Sequence, residues 1–227
     1  MAKRIIKEID CPHCKERSEI EMWDSINASL NTGLKDKVKD GSIFDWTCPH
    51  CGKTSRVMYP FLYIDMLHTF LVWFGAPDAC DPALYQTMTL DGYEFRNART
   101  FNELIEKINL LENGIDDHAL EVLKFSIVQA LYKQTEGGTK DPLPAMILFR
   151  EEEEDAFLLS VLYQNAPARM MKAAKKTYNA IRNDIASNPT IQKGLKEKNL
   201  LTFIWSDFIG SKLLNNPDFL KRFQPIQ

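Results

Sequence analysis

With 227 residues, 44% of them apolar and 26% charged, the chain is long enough to bury a core and has the composition of a globular protein, not a disordered or fibrous one. A net charge of −3 and a pI near 5.9 argue against a dedicated nucleic-acid binder, which is expected to be strongly basic. The first ten residues carry basic side chains but no apolar h-region or cleavage site. The most apolar stretch, Phe61 to Ala76, is interrupted by Asp65 and His68 and is too short for a bilayer. The expectation is therefore a cytoplasmic protein without a membrane segment, in a reducing setting that favours metal over disulfide for paired cysteines. The small net charge hides a gradient: residues 1–60 sum to +1, residues 61–163 to −11 and residues 164–227 to +7. Such a tail either docks on the acidic middle of its own chain or meets an anionic partner.

In chain order, residues 3–10 alternate loosely and lead into Cys11 as a strand would. Ser18 to Trp23 alternates polar with apolar and predicts a second strand. Asn31 and Thr32 precede a short amphipathic helix over Leu34–Val38, which Gly41 ends. Ile43 to Thr47 reads as a strand delivering a second cysteine pair. Arg56–Ile64 and Thr69–Phe74 read as a hairpin turning at Asp65–His68, followed by loop at Gly75–Asp78 and Cys80–Pro82.

Helical signals take over at Thr100-Phe-Asn-Glu103, a capping box in which the two polar side chains satisfy each other's backbone amides. Asn113-Gly114 stops that helix, and Asp116 or Asp117 caps the next, whose apolar stripe is Leu120, Leu123, Ile127, Val128 and Leu131 and which Gly137-Gly138 ends. Pro144–Arg150 and Ala156–Tyr163 predict a hairpin across the acidic run Glu151–Asp155. Pro167 suits the first turn of a helix running to about Asn183. A further helix is expected around Pro189–Lys198, and residues 200–214 fit strand or helix equally.

Two strings carry the chemistry, Cys11-Pro12-His13-Cys14 and Cys48-Pro49-His50-Cys51. Each C-x-x-C knuckle presents two sulfurs, and together Cys11, Cys14, Cys48 and Cys51 supply the four thiolates of one closed, structural Zn²⁺ site. Pro12 and Pro49 fix φ in the turns, and Gly52 suits a backbone that must curl past the metal. Four thiolates and one Zn²⁺ leave a negative centre, which Lys15, Arg17, Lys53 and Arg56 are placed to offset. The pairs stand further apart than the common zinc-ribbon template, and the inserted helix accounts for the extra length. His13 and His50 occupy equivalent slots and are expected to point outward; Cys80 reads as a bystander.

The run from Cys11 to Ala76 resembles the bacterial and archaeal CpXC family through its paired Cys-Pro-x-Cys motifs. Trp23-Asp-Ser-Ile-Asn27, Gly41, Cys48-Pro-His-Cys-Gly-Lys53 and Tyr59-Pro-Phe-Leu-Tyr63 with Asp65 also carry the resemblance. It continues through Glu103–Ile108 and Gly114–Asp117 to Glu121 and Lys124, and fades after about residue 135. The resemblance implies the metal site and no activity. It departs at Ile64, where a histidine commonly precedes the aspartate. Trp23, Tyr59 and Tyr63 are expected to pack around the ribbon.

Two other groups of residues merit comparison. Asp116, Asp117 and Glu121, with His118, form a dense cluster in which Asp117 and Glu121 share a helix face; it could make a Mg²⁺ or Mn²⁺ site or an acid/base pair, but the simpler reading is the acidic start of a helix. Arg169, Lys172, Lys175 and Lys176 gather on or near one face of the helix expected after Pro167, a surface for nucleic acid or for the chain's own acidic middle. No P-loop, GxSxG or HExxH pattern occurs.

The expected fold is α+β. An N-terminal β-rich zinc ribbon with an inserted short helix occupies residues 1–98, and a helix-rich α+β part occupies residues 99–227. The function expected first is non-catalytic: a zinc-stapled binding or interaction protein with a protein partner. The alternatives are a nucleic-acid-associated regulatory factor and a metal-dependent enzyme using Asp117 and Glu121.

Overall fold

A computed structural model describes residues 2–76, 92–136, 144–163 and 165–189, with the side chains of residues 132–136 left aside. Cys80, Gly137-Gly138, most of the helix expected at Pro189–Lys198 and residues 200–214 lie outside the described residues. The fold is α+β, strand-rich at the N-terminal end with most of its helix later. The chain divides into two compact units, residues 1–108 and 109–227.

The first unit is built on a five-stranded sheet of order β1-β2-β5-β6-β7, where β1 is Lys3–Asp10, β2 Arg17–Asn27, β5 Phe61–Asp65, β6 Phe70–Phe74 and β7 Glu94–Ala98. Between β2 and β5 the chain forms helix α1, Thr32–Asp40, and a separate hairpin of β3, Asp45–Thr47, and β4, Thr54–Arg56. β2 carries its apolar residues on alternate positions, so Ile20 and Met22 are buried while Glu19 and Glu21 face water.

Two expected strands are shorter than the apolar runs suggest. Ile43–Thr47 is strand only from Asp45. Gly41 ends α1 in the left-handed region at φ 81°, and the Asp40 carboxylate accepts from the Ser42 amide at 2.7 Å. The chain then turns tightly through Ser42–Phe44, with the Phe44 amide donating to the Gly41 carbonyl. Arg56–Ile64 is broken between Arg56 and Phe61, where Pro60 offers no amide to a ladder. The first fragment stays with the hairpin and the second enters the main sheet.

That turn delivers Phe44 to the centre of an aromatic cluster. Its ring meets Tyr59 edge-on at 5.2 Å between centroids, Phe74 at 5.5 Å, Phe61 at 5.9 Å and Phe101 at 6.0 Å. The Tyr59 hydroxyl donates to the Ile43 carbonyl, and Tyr63 stacks on Phe70. Leu62, Leu71 and Phe95 cover the other face of the sheet. Tyr59 and Tyr63 are thus core residues, while Trp23 is half-buried with the Arg4 guanidinium 4.8 Å from its ring.

The β5–β6 hairpin is tied by Asp65. This buried carboxylate accepts from the amides of Leu67 and His68 and from the Ser29 hydroxyl, and its second oxygen lies 3.0 Å from His68 Nδ1. An ionised carboxylate only accepts, so Nδ1 carries the proton. The Ser29 hydroxyl oxygen in turn accepts from the Met66 and Leu67 amides, and the Asn27 side-chain carbonyl accepts from the Leu30 amide.

Helix α2, Phe101–Glu112, begins with the predicted capping box: the Glu103 amide donates to Thr100 Oγ1 and the Thr100 amide to Glu103 Oε2. Gly114 follows in the left-handed region at φ 64°. Asp116 then caps helix α3, Asp117–Glu136, accepting from the His118 and Ala119 amides. In the second unit β8, Pro144–Glu152, β9, Ala156–Tyr163, and β10, Arg169–Ala174, form an antiparallel sheet of order β10-β9-β8, followed by helix α4, Lys175–Ser187. Its core joins Leu120 and Leu123 of α3, Phe149, Phe157, Leu159 and Val161 of the sheet, and Tyr178, Ile181 and Ile185 of α4. The Tyr178 hydroxyl accepts from the Asp116 amide, pinning the start of α3 to α4.

The helix expected from Pro167 is corrected here. Residues 169–174 are a strand paired along its whole length with β9, and the helix starts only at Lys175. Arg-Met-Met-Lys-Ala-Ala favours helix by local propensity, but the open edge of β9 offers a ladder of backbone hydrogen bonds that propensity does not weigh. Among the described residues no helix is long and apolar enough to cross a membrane.

Replacing Phe44 by Ala should cost about 3–5 kcal/mol in urea unfolding, because the ring is fully buried among four others. Burial opposes ionisation of Asp65, but its bonds from His68 and Ser29 outweigh that and hold its carboxyl below the ordinary value. The unfolded state therefore takes up the proton first, and this stabilisation is full above about pH 4 and lost as pH falls through the folded-state value. Asp65→Asn should flatten the stability–pH curve below about pH 4; an unchanged slope would contradict the assignment.

Candidate metal centre

The two knuckles are the turns of the two N-terminal hairpins, Cys11–Cys14 joining β1 to β2 and Cys48–Cys51 joining β3 to β4. Their backbone hydrogen bonds correspond one for one. Cys11 N donates to Glu16 O and Lys15 N to Cys11 O; Cys48 N donates to Lys53 O and Gly52 N to Cys48 O. The residue after each second cysteine is left-handed, Gly52 at φ 67° and Lys15 at φ 66°. Glycine adopts this region at no steric cost, whereas lysine pays for it. The Lys15 ammonium donates back to the Pro12 carbonyl.

Folding brings the four sulfurs within 4.8 Å of one another. The close pairs run across the knuckles: Cys11 Sγ lies 3.8 Å from Cys51 Sγ, and Cys14 Sγ lies 3.8 Å from Cys48 Sγ. All four cysteines are free thiols, at nearly twice the length of a disulfide bond. Cys11 and Cys48 are fully buried, and Cys14 and Cys51 are partly covered. The amide of His13 donates to Cys11 Sγ at 3.4 Å. His13 and His50 are exposed, as expected.

The protonation energetics show what such a cluster requires. The Cys14 amide, with that of His13, favours the Cys11 thiolate over the opposing effect of burial and brings its pKa down to about 6. At Cys14 the Glu16 amide acts in the same direction, but burial and the neighbouring sulfurs prevail and push it up to about 12. One negative sulfur thus blocks the ionisation of the next. Four thiolates can coexist here only around a cation, and the donor set fits a soft divalent metal.

The offsetting charges expected beside the site have other partners in two cases. Arg17 pairs with Glu8 at 2.8 Å and Arg56 with Asp45 at 3.1 Å. Trp46 donates from its indole nitrogen to the Glu19 carbonyl, lacing the second hairpin to β2.

The acidic cluster has a different character. Asp116, Asp117 and His118 lie within 4.8 Å of one another, but Glu121 stands apart from them and takes the Lys124 ammonium at 3.1 Å. Asp116 is the α3 cap, and although burial raises its pKa, the His118 ring 3.3 Å away and the cap amide of Ala119 hold it below the ordinary value. Of the basic residues, Arg169 and Lys172 lie on β10, and Lys175 and Lys176 open α4. Lys172 pairs with Glu153 at 2.7 Å and Lys175 with Glu152 at 2.6 Å, while Arg169 lies 5.5 Å from the Tyr163 ring. The sequence reading missed the Ser29–Asp65–His68 group because Ser29 lies 36 residues before Asp65; the Asp65-x-x-His68 spacing within a turn was its one visible sign.

The knuckle geometry makes Lys15 a testable position: Lys15→Gly should raise the melting stability by about 1 kcal/mol by relieving the left-handed lysine, and a loss of stability of that size would show that the Lys15–Pro12 bond matters more. No curated protein and no solved structure matches the chain. The family described as "CpXC protein" matches residues 9–124, an interval that starts just before the first knuckle and ends in α3. With half of its length matched, both knuckles included, the chain belongs to the CpXC family.

Proposed function

We propose that the protein binds one Zn²⁺ through Cys11, Cys14, Cys48 and Cys51, that this metal is structural, and that the protein acts as a non-catalytic binding or interaction protein in the cytoplasm. The spacing of the sulfurs carries the reading. Zn–S bonds of about 2.3 Å in a tetrahedron separate neighbouring sulfurs by about 3.8 Å, the distance found across both knuckles. Four protein ligands close the shell, whereas catalytic zinc keeps one position for water or substrate. Of the residues that carry the family resemblance, Tyr59, Tyr63 and Asp65 are spent on the aromatic core and the β5–β6 turn. Lys172 and Lys175 pair with Glu153 and Glu152 of the chain's own acidic run, which supports a protein-interaction role over nucleic-acid binding.

Elemental analysis of the purified protein should find about one zinc per chain; iron in its place, or zinc well below that, contradicts the reading. Cys48→Ser should lose the metal and unfold the ribbon, since such sites contribute on the order of 10–16 kcal/mol of coupled binding and folding energy. A chelator should produce the same change in the wild-type circular dichroism spectrum. Retention of native structure after complete metal removal would make the metal something other than structural.

A further inference from the structure

The first sheet ends at β1. Among the described residues β1 pairs with β2 alone, and its other side is the end of the five-stranded sheet. It is eight residues long, without proline, and half-buried at most anywhere along its length. Long, open edges of this kind are sites of strand addition unless charge or a bulge prevents it.

The pattern of charge along β1 selects the partner. Its first half is basic, with Lys3 and Arg4, and its second half adds Lys7, Glu8 and Asp10. Arg4, Ile6, Glu8 and Asp10 lie opposite Trp23, Glu21, Glu19 and Arg17, on the water-facing side of β2. Ile6 is 63% exposed there, an apolar side chain left in water between two opposite charges.

We propose that β1 pairs antiparallel with β1 of a second copy, about a two-fold axis through Ile6. Directly opposed residues of an antiparallel pair point to the same face, so a two-fold pairing must match even positions with even and odd with odd. Four such registers keep most of the strand. Centred on Ile5, Lys3 opposes Lys7 of the second copy; centred on Lys7 or on Glu8, the central residue opposes its own like charge. Centred on Ile6, Arg4 opposes Glu8 of the second copy on both sides of the axis, and Ile6 covers Ile6 between them. On the other face Lys3 meets Ile9 and Ile5 meets Lys7, so aliphatic stems cover both isoleucines. This register alone joins opposite charges without opposing like ones, and it links two five-stranded sheets into one.

Sedimentation of the metal-replete protein across a concentration series, with metal content measured for each variant, tests the assignment. A monomer–dimer equilibrium is expected in the micromolar range. Ile6→Asp should raise the dimer dissociation constant more than about tenfold. Arg4→Glu and Glu8→Arg should each weaken it by about tenfold, since two attractive pairs become repulsive, and the double variant should recover most of the loss. That recovery cannot arise within one chain, because Arg4 also contacts Glu21 and Glu8 contacts Arg17, and both contacts stay repulsive in the double variant. A monomer throughout, whether the edge stays open or another segment covers it, overturns the proposal. So does a dimer indifferent to Ile6→Asp, or a double variant no better than the single ones. Metal loss in wild type would instead count against the zinc reading.

Discussion

Four sulfurs drawn within 4.8 Å of one another are the constraint on which the N-terminal unit depends. Once ionised, the sulfurs obstruct one another, as the opposed shifts of Cys11 and Cys14 show. Four thiolates would need a cation between them, and bringing the sulfurs together fixes where two hairpins meet. With Cys11 at the end of β1 and Cys48 at the end of β3, the crossing of the knuckles sets the position of the β3–β4 hairpin against β2. The Trp46–Glu19 bond then repeats that placement away from the sulfurs.

The aromatic core continues from there. Glycine suits position 41 on two counts: its left-handed φ ends α1, and a Cβ would come within 3.1 Å of the Phe101 ring, which would have to shift by a few tenths of an ångström. The tight turn after it aims Phe44 at Tyr59, Phe61, Phe74 and Phe101. The sulfur cluster and the aromatic cluster are thus joined by β3 and β4, short strands that carry little apolar area of their own. A short two-stranded hairpin is marginal alone, and this one is held at the sulfurs by its knuckle and at its other end by the ring of Phe44.

The second unit rests on ordinary means: α3, a three-stranded meander and α4 enclose one apolar core. Its charges sort themselves locally. The acidic β8–β9 turn is answered by Lys172 and Lys175 from the strand and helix that follow, which accounts for part of the contrast between acidic middle and basic tail without an outside partner.

The sequence by itself determined the two paired-cysteine knuckles, the α+β class, the capping box at Thr100–Glu103 and the stop at Gly114. Each is written in residues a few positions apart, and turn and cap chemistry is local. Tertiary structure decided everything that depends on distant partners. The cross-knuckle pairing of Cys11 with Cys51 and Cys14 with Cys48 depends on how two hairpins cross. The strand at Arg169–Ala174 exists because β9 has an edge to offer, although its residues favour helix. Ser29 meets Asp65 only because β2 and β5 lie side by side in parallel. Local chemistry could name the cysteines; only the packing of one hairpin against another could bring them together.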